Sequence, residues 1–363
     1  MMKAMILLIV LGIVALIDAA VLLKLRAAFR LLKVPNTTDA PVGDTPSVTI
    51  CIAARDETHA MTQCLERVVA SEYPKLEVIV LDDGSRDDTG VLIKSFAHAG
   101  VRFIEGKPLP DGWLGKNYAQ KVLAEEASGK LVFFMDVDTL IERHTVARAV
   151  ATMLARGDRM LSIVPLRADT LRPSLIFTTM RHFWLLMRHS SGHPRATANA
   201  WLIDRELLLG EFSADTSLPQ SMKVETAIAR KLGSDSYHLI LSNAWLGLCY
   251  EKKWSSQVET SVRVLYPQCG YHWYQVLLLT ATLLVACTPY IAWIFTPWAL
   301  VLVVTHYIIA FYYLSHVWVR HRLIGALLLP YTLLQEAALL IYSMYKYKTH
   351  GVTWKGRPIL RTK

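Results

Sequence analysis

The stretch LVFFMDVDT, Leu131 to Thr139, is five apolar residues followed by two carboxylates one residue apart. A short apolar run rich in Val and Phe that stops on turn-forming acids reads as a buried strand, with Asp136 and Asp138 at its C-terminal end. Similar runs precede it. Val48–Ala53 (VTICIA) reads as a strand ending near Arg55-Asp56-Glu57. Val78–Leu81 (VIVL) reads as a strand ending on Asp82-Asp83-Gly84-Ser85, and Val101–Ile104 as a short third strand. Between them Ala60–Ala70, Thr89–Ala99 and Asn117–Glu126 carry helical patterns. Strands alternating with helices predict an α/β fold with a mostly parallel sheet and helices on both faces. Ligands of such sheets bind beyond the C-terminal strand ends, where both acidic turns fall.

This section is flanked by apolar chain. The 363 residues are 53% hydrophobic and 19% charged, with a mean hydropathy of +0.31, which excludes disorder and argues against an ordinary soluble protein. Ala4–Leu23 is apolar except for Asp18, long enough to span a bilayer, and followed by Lys24, Arg26, Arg30 and Lys33. An uncleaved signal-anchor is expected, with the N-terminus outside and the next section in the cytoplasm. Gln275–Val319 has no Lys, Arg, Asp or Glu and divides at Thr296-Pro297 into two helices of spanning length. Leu323–Tyr345 is a further apolar run, interrupted by Pro330 and Gln335-Glu336, and a basic tail follows. Four full spans would put that tail outside, against the positive-inside rule, so a re-entrant or interfacial 323–345 stands as the alternative. Leu171–His189 reads as a core helix or, with Arg172, Arg181, His182 and Arg188 toward headgroups, as an interfacial one; the interface is the expectation.

The formal charge is +9, with +4 in residues 1–33, +8 in 260–363 and −3 between them. A nucleic-acid binder would concentrate basic charge in its polar domain, so none is expected as a partner. Cys51, Cys64, Cys249, Cys269 and Cys287 form no C-x-x-C pair and read as free thiols in a reducing compartment. The expected organisation is a signal-anchor and basic flank at 1–33, a linker at 34–46, an α/β domain at 47–266 with the interfacial helix near 171–190, membrane helices at 267–345 and a basic tail at 346–363.

Several groups can carry chemistry. Asp136 and Asp138 at one strand end can hold a hard divalent cation and, through it, a diphosphate; a solvated strand end with a helix cap is the bland alternative. Gly84 permits a tight turn, and a carboxylate there can accept from a nucleobase or ribose, or simply form the turn. Pro110–Asn117 (PDGWLGKN) is a loop in which Lys116 can neutralise a phosphate and Asn117 can cap the next helix.

Together, Ala53-Ala54-Arg55-Asp56-Glu57, Leu81-Asp82-Asp83-Gly84-Ser85, Gly112-Trp113-Leu114-Gly115-Lys116-Asn117 and Asp136-Val137-Asp138-Thr139 resemble the membrane-bound family 2 glycosyltransferases of GT-A fold. More narrowly they resemble ceramide glucosyltransferase and the carotenoid-type (diaponeurosporenoate) and hopanoid-associated glycosyltransferases. Thr353-Trp354-Lys355-Gly356-Arg357 is similar to a tail signature of the carotenoid-type members. The resemblance covers about residues 45–270 well and the membrane part loosely. It implies donor contacts from Ala53, Arg55, Glu57, Asp83, Lys116 and Asp136, with the nucleobase near Arg55 and Asp83. It implies that Asp136 and Asp138 hold Mg²⁺ or Mn²⁺ with the sugar diphosphate.

The family's general base is the second acid of a pair before an Ala-Leu-Ala-Arg-like helix. Here the sequence is Val224-Glu225-Thr226-Ala227-Ile228-Ala229-Arg230, so one acid is lost and Glu225 takes the base position. A surface Glu on an amphipathic helix is the alternative, and an acceptor that is already a carboxylate would need no strong base. The polymerising members' Gln-x-x-Arg-Trp is matched only by Tyr250-Glu251-Lys252-Lys253-Trp254, which lacks the Gln and the Arg. Arg263 either supplies the missing cation or marks the membrane border. The resemblance implies a multi-pass membrane enzyme with its catalytic domain in the cytoplasm, as in a bacterial inner membrane. It would move a sugar from a nucleotide-sugar, expected as a UDP-sugar, to a lipid acceptor with inversion. A processive or polyprenyl-type synthase, and a degraded lipid-binding membrane protein, stand as alternatives.

Overall fold

The strand that ends on Asp136 lies in the middle of a seven-stranded sheet. The computed structural model of the chain describes residues 2–34, 45–168 and 180–359. In chain order the strands are β1 (Val48–Ala54), β2 (Leu76–Asp82), β3 (Val101–Glu105), β4 (Leu131–Met135), β5 (Thr139–Ile141), β6 (Met160–Val164), β7 (Leu166–Arg167), β8 (Ala200–Asp204), β9 (Tyr237–Leu241) and β10 (Leu248–Tyr250), with a terminal hairpin of β11 (Thr353–Trp354) and β12 (Arg357–Pro358). The helices are α1 (Met2–Leu31), α2 (Thr58–Val69), α3 (Thr89–Ser95), α4 (Gly115–Glu126), α5 (Thr145–Arg156), α6 (Arg181–Arg188), α7 (Arg205–Ala214), α8 (Val224–Leu232), α9 (Trp254–Gln268), α10 (Trp273–Ala286), α11 (Pro289–Ala292), α12 (Ala299–Val317), α13 (Arg322–Leu327) and α14 (Leu329–Lys348). They form two units, one of residues 31–166 with 188–251, the other of residues 1–30, 167–187 and 252–363.

In the α/β unit the sheet order is β3-β2-β1-β4-β8-β6-β9. The neighbours β3, β2, β1 and β4 are parallel, β8 is antiparallel to β4 and β6, and β9 is parallel to β6. The central strands are largely apolar because both faces are covered: every residue of β4 and β6 is buried. Helices α2 and α5 turn Met61, Cys64, Leu65 and Val68, and Val146, Ala149, Val150 and Met153, into this core at helical spacing. The first four strands stand where the sequence puts them. The strands beyond β4 were not read in it. They are held by residues such as Trp201, which stacks on Phe134 at 4.6 Å.

In the helical unit, Met2–Leu31, Trp273–Ala292 and Ala299–Val317 are long and apolar enough to cross a membrane, among the described residues. They expose large apolar side chains, as Leu16, Leu278 and Ile308 show, which suits contact with lipid tails rather than water. Within this unit Asp18 of α1 pairs with His306 of α12 at 2.9 Å, and Phe29 stacks on His316 at 4.0 Å. Among the described residues two C-terminal helices thus have spanning character. α14 is as long, but Gln335, Glu336, Ser343, Lys346 and Lys348 dilute it. Of the expected interfacial helix, residues 171–179 lie outside the described residues, and α6 is its described part; most of the 34–46 linker also lies outside them. The tail signature forms the β11–β12 hairpin, with Lys355 and Gly356 at positive φ and the Lys355 amide donating to Glu259 at 2.9 Å.

Candidate active site

The parallel register aligns three strand ends, with Ala54 opposite Asp82 and Ile52 opposite Met135. The residues after β2 and β4 therefore share one edge of the sheet, two strand spacings or about 10 Å apart.

At the β2 end the turn is stitched by its own residues and by those at the end of β1. The Arg55 guanidinium donates to the Asp83 carbonyl and, at 3.2 Å, to the Gly84 carbonyl. The Asp83 amide donates to Ala54 at 2.8 Å, and Asp82 accepts from the Ser85 amide at 3.0 Å and from its hydroxyl at 2.5 Å. Gly84 takes φ 70°, in the left-handed region that glycine tolerates. Arg55 and Asp83 are both buried, while Ala53 is the one residue of β1 that is not. The Glu57 amide donates to the Thr89 hydroxyl at 2.8 Å, tying the start of α2 to that of α3.

At the β4 end the geometry is different. Lys116, in the first turn of α4, places its Nζ 2.6 Å from Asp136 Oδ1, each side chain being 26% exposed. A lysine there opposes the helix dipole, and the Asp136 carboxylate offsets that cost. Asn199, just before β8, donates its amide to Asp136 Oδ2 at 3.4 Å. Its carbonyl accepts from the Asp136 amide at 3.0 Å and the Thr139 hydroxyl at 3.1 Å. Thr139 starts a strand, so the helix cap considered for this turn does not form. Asp136 and Asp138 both act electrostatically on the buried Cys64 thiol, which desolvation pushes well up.

Asn117 does not cap α4. It lies inside the helix, and its Nδ2 donates to the carbonyls of Leu218, Pro219 and Ser221 at 3.0, 3.0 and 2.8 Å. A donor pointing out of the helix is the wrong group for a cap, which needs an acceptor, but the right one to collect loop carbonyls. The Leu114 amide adds a bond to Pro219 at 2.9 Å, and Trp113 packs on Tyr118 and Phe212. The Lys116 loop is thus fastened to the segment leading into α8.

Glu225 lies in the first turn of α8 and is buried, only 6% exposed, so it is no surface residue. Desolvation raises its carboxyl above the usual range, and Asp136 adds to this, while Lys223, its own amide and Lys116 pull the other way. Next to it the Thr226 hydroxyl receives the Ala196 amide at 3.1 Å, and Thr197 donates to Asn199 at 2.9 Å, so one short segment links α8 to Asp136. Asn199 was not found in the sequence; it belongs to no motif, and only the placement of β8 brings it to the site. Arg263, on α9, belongs to the other unit.

Among the described residues no three His, Cys, Asp or Glu converge into a metal cage. Small hard cations at nucleotide sites use one or two carboxylates plus phosphate oxygens, so the donor set of Asp136 and Asp138 fits one.

Residues 49–188 match the model of glycosyl transferase family 2. Glycosyltransferase AglE of Haloferax volcanii is 28% identical over 116 residues, 31% of this chain and 37% of that one. The 4,4'-diaponeurosporenoate glycosyltransferase of Staphylococcus aureus is 29% identical over 122 residues, 33% of this chain and 32% of that one. The matched stretch thus spans about a third of these relatives' length. In overall fold the chain is similar to a mannosyltransferase, PcManGT, of Pyrobaculum calidifontis, solved with GDP-Man and Mn²⁺. The TM-score is 0.59 at 20% identity, over 94% of this chain and 98% of that one. The parallel strands with one antiparallel insertion, the acid-bearing strand ends and the family match agree: residues 49–188 match the family 2 glycosyltransferase model, and the sheet is similar in fold to that of a solved mannosyltransferase.

Proposed function

We propose that the chain transfers a sugar from a nucleoside-diphosphate sugar, a UDP-sugar in the first instance, to a lipid acceptor at a membrane. The observation that carries this reading is the gathering around Asp136: a carboxylate at a strand end, the Lys116 ammonium on it and the buried Glu225 in its field. The nucleobase and ribose take the β2 end, near Ala53, Arg55, Glu57 and Asp83. The diphosphate takes the β4 end, with Lys116 as a fixed cation and Asp136 and Asp138 as holders of Mg²⁺ or Mn²⁺. What the bound ion supplies there is Lewis-acid stabilisation of the departing diphosphate.

Glu225 takes the proton of the acceptor hydroxyl as its oxygen attacks the anomeric carbon. The new C–O bond forms while the bond to the diphosphate breaks, with inversion. A carboxyl held above its usual range by burial is, once ionised, a stronger base than an exposed one. The mannosyltransferase solved with GDP-Man and Mn²⁺ supports the donor class, and the relative named for diaponeurosporenoate supports an apolar acceptor. Three candidate spans support a cell-membrane location. With α1 and α12 both leading into basic chain, an odd number of spans puts the α/β unit and the tail together on the cytoplasmic side.

Release of UDP and of GDP from a panel of their sugar conjugates, by the full chain in lipid with Mn²⁺ or with EDTA, tests the reading. Metal-dependent release from one donor class, stimulated by membrane lipid, is expected. Absence of release and of nucleotide binding with all donors overturns it.

A further inference from the structure

We propose that Lys116 is a resident counter-cation that makes divalent-metal binding at Asp136 conditional on the arrival of the donor. The inference rests on the functional reading above and concerns how that site is kept before substrate binds. The ammonium of Lys116 sits 2.6 Å from Asp136 Oδ1, and the Asn199 amide faces Oδ2 at 3.4 Å. Positive and amide donors thus face both oxygens of this carboxylate. A cation arriving alone must displace the ammonium and would leave it in the first turn of α4, where the helix dipole disfavours positive charge. Among the described residues no third carboxylate, His or Cys joins Asp136 and Asp138 to repay that displacement.

A cation arriving with a diphosphate faces a different balance. Phosphate oxygens complete its coordination, and the released ammonium gains a phosphate partner within reach of its flexible stem. The exchange keeps every charge paired. At 26% exposure on each side, the Lys116–Asp136 pair is also accessible enough to swap partners without opening the core. Lys116 therefore holds Asp136 poised and closed to bare metal.

The experiment is titration of the full chain in lipid with Mn²⁺, read by the loss of the free-ion electron paramagnetic resonance signal, alone and with UDP or GDP. The wild type is expected to bind Mn²⁺ about tenfold or more tightly with its nucleotide than without. Lys116→Met should tighten Mn²⁺ alone by about fivefold, the upper scale of a partly exposed ion pair, and weaken the Mn²⁺–nucleotide complex. Lys116→Arg, which keeps the charge, should preserve the nucleotide dependence and shows that the Met result is not misfolding. Unchanged or weaker binding of Mn²⁺ alone to Lys116→Met, with the wild type responding to nucleotide, overturns the inference and leaves the functional reading standing. A wild type that binds no nucleotide with Mn²⁺ overturns the functional reading itself.

Discussion

The ends of β2 and β4 look alike in sequence, each an apolar strand closed by two acids, yet they are built for different work. At β2 most of the hydrogen bonds run to backbone atoms. Asp82 holds Ser85, and Arg55 holds the backbone of Asp83 and Gly84, so the charged groups shape the turn. At β4 the Asp136 carboxylate is met by side chains from other elements. Asp136 meets Lys116 and Asn199, and its field reaches Glu225. Acids spent on neighbouring backbone define a shape, whereas acids paired with mobile or amide donors remain able to exchange them for a ligand. The distinction is invisible in a motif and is set by which elements stand beside the strand end.

Four substitutions break or sharpen this contrast. The largest effect is expected at the β4 end: Asp136→Ala or Asp138→Ala should lower turnover by about 10³-fold or more, the several kcal/mol a bound Lewis acid supplies. The fold should survive, and thermal melting beside the turnover assay checks both. Glu225→Gln should lower kcat by roughly 10²-fold. The wild-type profile of kcat against pH should fall on the acid side through a midpoint above the ordinary glutamate range, because the base must be ionised and burial opposes ionisation. The same shift has a stability sign. A carboxyl whose folded pKa is raised contributes stability below its unfolded pKa and loses it as pH rises through the folded value. Glu225→Gln should therefore melt higher than the wild type at neutral pH, with the gain vanishing toward pH 4 and below. A variant that is slower and also less stable would mark Glu225 as structural.

The smallest effect is expected at the β2 end, where Gly106→Ala leaves every functional group in place. Its Cβ would lie 2.6 Å from the Asp82 carbonyl oxygen and 3.0 Å from Asp83 Cα, backbone atoms that cannot rotate away. A loss of about 1–3 kcal/mol in stability is expected, with weaker nucleotide binding and unchanged Mn²⁺ dependence. Altered metal dependence in this variant would mean that the two strand ends are one coupled site.

Much of the α/β half was legible. The runs from Val48, Val78, Val101 and Leu131 are short, apolar and closed by turn residues, and each became a parallel strand. Apolar run length likewise marked α1 and α12, because spanning a bilayer is a constraint on composition alone. Asn117 was misread because the residue after Gly-Lys looks like a cap, while its amide donates to a segment about a hundred residues away. Glu225 was open between surface and site because helix periodicity tells which residues share a face but not what covers it.

The sequence by itself determined the alternation of strands and helices, the acids at two strand ends and the apolar segments. These follow from local propensity and from the period of the hydrophobic pattern. Only the tertiary structure decided that β8 inserts antiparallel beside β4, that Asn199 thereby clasps the Asp136 turn, that Lys116 spends its charge on Asp136 and that Glu225 is buried within reach of both fields. Those are contacts across tens of residues, selected by packing of the whole sheet, and no short stretch of chain contains the information that makes them.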